Sequence, residues 1–600
     1  MDQIEDRLAD FTTDRRVLIL SAAAVVIGVI GAAVAYSLVW LIAVMTNLAY
    51  YHRLSSASVS PAGSPLGYAA VLVPVVGGLI VGLMARYGSD KIRGHGIPEA
   101  LEAILIGRSR IGPKVAILKP LSSAISIGTG GPFGAEGPII MTGGAFGSLL
   151  AQFVHLSSAE RKTLLVAGAS AGMAAVFGTP VAAVLLAVEL LLFEWKPRSF
   201  IPVAIAAATA AALRVPLLGA GPLFPVGPHA PLGVHGLVIA GVVGVLAGLG
   251  SGALTNLVYG FEDLFPKLPI HWMWWPAIGG LFVGLGGLID PRVLGVGYET
   301  IHALLRNQVV GVALLGILIG KSLVWSIALG SGTSGGVLAP LLMMGAALGA
   351  LEARYLPIGS PGLWAMVSMA AMMGGTMRSP FTAVVFTLEL THDLNVVPAL
   401  LVGCIASEAV SVLLLRRSIL TEKVARHGHH ITREYAMDPF DICRVGEAME
   451  SNPTPLRADM RLADLAAGAA GGYQAMARVH AAPIVDGAGR LVGVITQSDI
   501  LRALEEPDGD CTTVLEAGTP DPVVAYPDEL MRDAVKRMLR HQIGRLPVVS
   551  RENPRQLVGF LERRNVMAAR QGWYEEEYVR ERVWKARRPR SRTDGSSPIA

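Results

Sequence analysis

The run Gly128-Thr-Gly-Gly-Pro-Phe-Gly-Ala-Glu-Gly-Pro138 crowds glycine and proline around one carboxylate, Glu136, within otherwise apolar sequence. Glycine lets backbone amides come close to a ligand and take turn conformations closed to other residues. The residues from Gly137 to Phe153 are apolar and helix-compatible, so the run is expected to end at a helix N-terminus. The outward amides of such a terminus carry roughly half a positive charge and make an anion site. A carboxylate placed there is itself an anion: it fills the site when ionised and leaves it when protonated or displaced, which is the chemistry of a gate. The plainer role for a helix-terminal glutamate is a surface cap worth roughly 0.3–1 kcal/mol. A cap has no need of so many flanking glycines and prolines inside an apolar segment.

The same arrangement recurs. Gly330-Ser-Gly-Thr-Ser-Gly-Gly-Val-Leu-Ala-Pro340 has the same length and begins 202 residues after Gly128, and Lys119 before the first copy matches Lys321 before the second at the same offset. Past the loops, Met141, Gly143, Ala145 and Gly147 match Met343, Gly345, Ala347 and Gly349. Further on, Pro180, Ala183, Val184, Glu189 and Leu190 recur 200 residues later as Pro380, Ala383, Val384, Glu389 and Leu390. Upstream, Gly94-His-Gly-Ile-Pro-Glu99 echoes Gly295-Val-Gly-Tyr-Glu299. In a chain with 69 glycines one such echo would carry nothing, but an ordered set at nearly one offset reads as a duplication.

The elements that must position these residues lie in a membrane. The 600 residues are 52% hydrophobic and 16% charged, with a mean hydropathy of +0.52, and the apolar segments fall within residues 17–425. A membrane part and a polar C-terminal part follow. The formal charge of +4 gives no argument for nucleic acid, and three cysteines give neither a disulfide framework nor a metal spacing. The acidic N-terminus shows no secretory signal, and Arg15 and Arg16 before the first span favour a cytoplasmic N-terminus. Residues 17–49 exceed the roughly 20 needed to cross, so a tilted helix is expected. After a second span at 68–87 the segments shorten, interrupted by Gly and Pro, at about 98–107, 114–127, 137–154, 161–177, 180–194 and 199–215. Interrupted segments in corresponding places of two halves point to a binding site near the bilayer midplane. The loop 216–231 links the first half, 17–215, to the second, 232–426. A linker over 427–442 then leads to two similar units, 443–505 and 506–572, each reading as strand, polar turn, strand and helix, before a charged tail at 573–600.

These residues resemble those of a known family. Gly134-Ala-Glu-Gly-Pro138 resembles the G-[RK]-E-G-P signature of CLC chloride channels and chloride/proton antiporters, Gly94-His-Gly-Ile-Pro98 their G-S-G-I-P loop, and Gly336-Val-Leu-Ala-Pro340 their G-x-F-x-P. The two C-terminal units look like CBS domains. The resemblance implies an all-α membrane domain of two inverted repeats whose broken helices surround a midplane anion site, with an α/β cytoplasmic CBS pair. It also implies a homodimer in an inner or plasma membrane with both termini cytoplasmic, and chloride as the permeant ion with no required cofactor. By the same resemblance Glu136 is the gating glutamate, and backbone at Gly134, Ala135, Gly137, Val337 and Leu338 faces the anion. His95 stands where the family usually has an anion-coordinating serine, Leu420 in the place of a coordinating tyrosine, and Leu190 where many antiporters have an internal proton-accepting glutamate.

Those departures shape the expected function. Leucine donates no hydrogen bond, whereas histidine donates through a ring N–H and becomes cationic when protonated. His95 is therefore expected to replace the lost contacts and make anion binding pH-dependent; the blander reading has it bonded to a carbonyl at a helix end. Leu190 removes the usual inner proton relay and tilts the reading to channel-like or weakly coupled flow, with chloride/proton antiport as the alternative. Glu189 and Glu389 read as loop caps. Lys119 and Lys321 read either as snorkelling side chains or as attractors of anions in a vestibule. In the first CBS unit, Gly493-Val-Ile-Thr496-Gln-Ser-Asp499 resembles a ribose-binding pattern for an adenine nucleotide, so Thr496 and Asp499 are the candidates; Glu562 and Asn565 stand at the matching places of the second. Carriage of bicarbonate, nitrate or fluoride stays open. A hard cation would need clustered oxygen ligands, which the glycine loops lack, and no enzyme motif such as His-Glu-x-x-His or a nucleophile elbow occurs.

Overall fold

The computed structural model describes residues 15–107, 109–154, 156–227, 229–426, 440, 443–468, 481–505 and 512–578. The acidic N-terminus up to 14, nearly all of the expected linker and the charged tail beyond 578 lie outside the described residues. The chain divides into two compact units, with the boundary between Gly428 and His429.

In the first unit α1 (Arg16–Tyr51), α2 (Leu72–Tyr87), α3 (Ile97–Leu105), α4 (Pro113–Gly128), α5 (Glu136–Phe153), α6 (Ser158–Phe177), α7 (Pro180–Leu186) and α8 (Pro197–Leu218) make one half. The second half runs α9 (Val234–Leu264), α10 (Trp275–Ile289), α11 (Tyr298–Leu305), α12 (Val312–Gly330), α13 (Leu338–Glu352), α14 (Pro361–Met377), α15 (Pro380–Thr391) and α16 (Val397–Leu414), and α17 (Ile419–Arg426) closes it. Seven helical stretches among the described residues are long and apolar enough to cross a membrane, while α13 and α15 are shorter. Proline fixes many of the starts: Pro113, Pro180, Pro197, Pro361 and Pro380 each open a helix, where the missing N–H costs nothing.

The duplication seen in sequence is a packing symmetry. A methyl group on Gly78 would strike the carbonyl of Pro276, and one on Gly280, 202 residues later, that of Pro74. Gly82 faces the carbonyl of Met273 as Gly284 faces that of Val71. The partners exchange at one offset, so α2 and α10 cross on a pseudo-twofold axis. Gly143 and Gly147 likewise let α5 lie against the backbone of α6 at Gly168 and Leu164, and Gly345 and Gly349 do the same for α13 on α14. That close approach is why these glycines recur. The carboxyls exchange too. Glu189 accepts from the Thr382 amide at 2.9 Å and its hydroxyl at 2.5 Å, capping α15. Glu389 accepts from the amides of Val181 and Ala182 at 3.0 and 2.8 Å, capping α7. The halves differ after α7, where Ala187–Leu192 winds as a π-helix and takes up one residue that α15 lacks.

The second unit carries a four-stranded sheet in the order β1 (Leu456–Arg457), β2 (Ala481–Val485), β3 (Leu491–Thr496), β4 (Thr519–Pro520), and a two-stranded sheet of β5 (Arg545–Val549) and β6 (Leu557–Glu562). The cores are interleaved. Val445 packs with Ala525, Met531, Leu546 and Leu561, whereas Val514 packs with Leu462, Ile484 and Ile495. The opening turn of each sequence unit thus completes the core of the other. A division at 505/506 follows the sequence repeat but not the packing.

Candidate anion site

Two glycine loops meet at the N-termini of α5 and α13. The Gly336 amide donates to the Gly134 carbonyl at 2.8 Å and the Gly134 amide to the Gly336 carbonyl at 3.2 Å. Gly94 joins them, its amide donating to the Thr333 carbonyl at 3.2 Å, and the hydroxyls of Ser123 and Ser334 meet at 2.8 Å. A methyl group on Gly134 or Gly336 would collide with the Glu136 carboxyl, and one on Gly137 with the His95 carbonyl. The glycines therefore clear the space that the carboxyl occupies.

Glu136 is fully buried. Its Oε1 accepts from the Leu338 amide and, at 3.3 Å, from that of Ala339, so a carboxylate of the first half fills the helix N-terminus of the second. Its Oε2 is buried with no hydrogen-bond partner. Such a group is held by one oxygen at amides that would serve any anion equally. Leu338 is where the motif placed it. Ala339, one residue further along the first turn, was not singled out, although the four unpaired N–H groups of a helix start could have indicated it. The Gly134 amide, expected to face an anion, donates to the Gly336 carbonyl. Ala135 and Val337 are buried residues preceding α5 and α13, and Gly137 lies in the first turn of α5.

His95 is 3% exposed, and its Nδ1 has no partner. It stands between Gly94 and Gly96, whose φ angles of 81° and 93° favour glycine. Glu99 accepts from the Gly96 amide at 2.7 Å and from Lys423 Nζ on α17 at 2.5 Å, which ties α17 to the start of α3. Leu420 is fully buried on that same short helix. Leu190 is fully buried within the π-helix.

Lys119 and Lys321 correct the snorkelling expectation for them. Each is fully buried, so neither snorkels. Lys119 Nζ donates to the carbonyls of Ile92 and Gly94, both at 2.8 Å. Lys321 Nζ donates to those of Val293 and Gly295 at 2.9 and 2.8 Å. They are matching staples that hold the loops before α3 and α11.

In the second unit Thr496 and Asp499 hold each other. The Thr496 hydroxyl donates to Asp499 Oδ2 at 2.6 Å and its amide to the same oxygen at 3.0 Å, capping the helix Gln497–Leu504. Asn565 does the corresponding work in the other unit, accepting from the Glu562 amide at 2.9 Å.

Residues 77–412 match the family model for the voltage-gated chloride channel, and 445–506 and 514–572 match that for the CBS domain. A relative is the voltage-gated ClC-type chloride channel ClcB of Escherichia coli, 29% identical over 367 residues, covering 60% of this chain and 87% of the relative. Among solved structures, a slow cyanobacterial Cl⁻/H⁺ antiporter superposes with a TM-score of 0.62 at 22% identity, over 69% of this chain and 99% of the other. A eukaryotic CLC transporter superposes with a TM-score of 0.60 at 20% identity, over 91% of this chain and 98% of the other.

Proposed function

The chain belongs to the voltage-gated chloride channel family, and from that premise we propose that it passes chloride through a pathway gated by Glu136, with little or no coupling to protons. The family supplies the two inverted repeats and the anion class; the gate and the coupling are our reading. One observation carries the gate: Glu136 of one repeat caps α13 of the other with a single oxygen while fully buried. Protonation removes the charge that the amides attract, and an arriving anion takes over the same donors. Opening therefore increases as pH falls.

Weak coupling rests on Leu190. A proton carried by Glu136 needs a second titratable group to continue, and leucine offers none. Glu189 beside it is engaged in capping α15. His95, with Nδ1 unpartnered, is the candidate donor that stands in for the missing serine and tyrosine hydroxyls. Assembly as a homodimer and adenine nucleotide binding at Thr496 and Asp499 belong to the same reading.

The test is chloride efflux from loaded proteoliposomes recorded together with external pH, for the natural chain and Glu136→Gln. The expected outcome is chloride efflux without stoichiometric proton movement, accelerated by acid in the natural chain and much less so in the variant. Proton movement locked to chloride and lost in the variant would mean antiport. Efflux whose acid dependence survives Glu136→Gln unchanged would remove Glu136 as the gate.

A further inference from the structure

The loop before α11 repeats the loop before α3 but opens its helix with a different residue. Ile97 follows Gly94-His-Gly96, whereas Tyr298 follows Gly295-Val-Gly297. Ile97 is fully buried hydrocarbon, and Tyr298 brings a hydroxyl to the equivalent place. The tyrosine ring is held edge-on by Phe177, 6.5 Å away at 75°, and by Phe224, 5.7 Å away at 69°. Phe224 comes from the segment between the halves. It is fully buried, and its amide donates to the Leu390 carbonyl at 2.8 Å. The phenol is therefore aimed by packing from two elements.

Its hydroxyl is buried and meets no hydrogen-bond partner, and the same holds for Glu136 Oε2. Gly297, just before Tyr298, lies against Met343 of α13, the helix whose N-terminus the Glu136 carboxyl fills, so α11 opens beside that helix, within range of the carboxylate charge. Buried polar groups are ordinarily satisfied, so two unsatisfied ones on segments that meet α13 mark a partner that is not polypeptide. A phenol O–H donates, so that partner is an acceptor. We propose that Tyr298 donates a hydrogen bond to the anion that displaces the Glu136 carboxylate, adding a hydroxyl from the second repeat to the ring N–H that His95 offers. The proposal rests on the gate reading above.

The test is calorimetric titration of chloride into the purified full chain, for the natural protein, Tyr298→Phe, Glu136→Ala and the double variant. Phenylalanine keeps the ring and its contacts with Phe177 and Phe224. Loss of one hydrogen bond to a charged group weakens binding roughly tenfold, and this is expected with and without Glu136. A structural effect would weaken all halides alike, whereas loss of a donor is expected to hurt chloride more than iodide. Affinity unchanged by Tyr298→Phe in both backgrounds overturns the proposal and leaves the gate intact. An effect confined to the background that keeps Glu136 assigns the hydroxyl to the carboxylate instead and also overturns it. If Glu136→Ala binds no chloride, the gate reading fails, and this proposal with it.

Discussion

His95 and the buried lysines show how residue type decides role at one spot. His95 lies within the loop Gly94-His-Gly96 and Lys119 holds it, yet Lys119 spends its donors on the carbonyls of Ile92 and Gly94, while His95 Nδ1 spends none. A protonated imidazole draws anions, so its contribution to flux grows as pH falls. That direction is also the direction of Glu136 protonation, and the two separate only when the gate is neutral. In a Glu136→Gln background the residual rise of flux on acidification, if His95 carries it, is expected to vanish with His95→Ser; efflux measured across pH in the single and double variants decides this. The lysines predict a different outcome. Lys119→Met or Lys321→Met leaves two buried carbonyls without donors, partly offset by removing a buried charge, for a net loss of about 3 kcal/mol. Thermal unfolding of the purified variants should show a lower Tm in each. An unchanged Tm with weaker chloride binding would return the lysines to the role of anion attractors.

At the scale of elements, reciprocity is the common device. α7 is capped by Glu389 and α15 by Glu189, so neither half can close its own helix start. The CBS units share this habit. The Val445 amide donates to the Glu529 carbonyl at 3.0 Å and the Glu450 amide to the Phe560 carbonyl at 2.9 Å, while β4 pairs with β3 across the sequence boundary. A fragment covering 443–505 would lack Val514 and β4, which complete its core and sheet, and would keep an opening turn built for the other unit. It is expected to be unfolded by circular dichroism, whereas 440–578 folds cooperatively. A folded 443–505 fragment would show that the exchange is dispensable.

For the whole molecule, the duplicated plan was legible because it is written in small residues at close helix crossings, where only glycine fits, and such positions recur at an offset of 202 residues. The interrupted segments at 114–127, 137–154 and 161–177 lie within a few residues of α4, α5 and α6, since proline and glycine mark their ends. Tyr298, Ala339 and the lysine staples were not legible. Their roles depend on which carbonyl, amide or carboxyl the other half brings close, and sequence spacing within one half carries no trace of that. The exchange between CBS units escaped for the same reason. The chain divides into two compact units and the second has hydrophobic clusters of its own, so the chain is expected to unfold in two transitions, and acid should act on the CBS transition first. There the Arg490 amide and side chain hold Asp486, and the Arg551 guanidinium holds Asp528, below the ordinary carboxylate range. A carboxyl whose folded pKa is depressed contributes stability above its unfolded value of about 3.9, and that contribution is lost as pH falls further. Asp528 is exposed and Asp486 partly so, so the effect is small and weakened by salt. Calorimetry below about pH 4 should show the CBS transition moving to lower temperature as acid is added, by less in Asp486→Asn. A CBS transition that holds its temperature through that range would mean the unfolded chain keeps the same contacts, because only then do the folded and unfolded states bind protons equally.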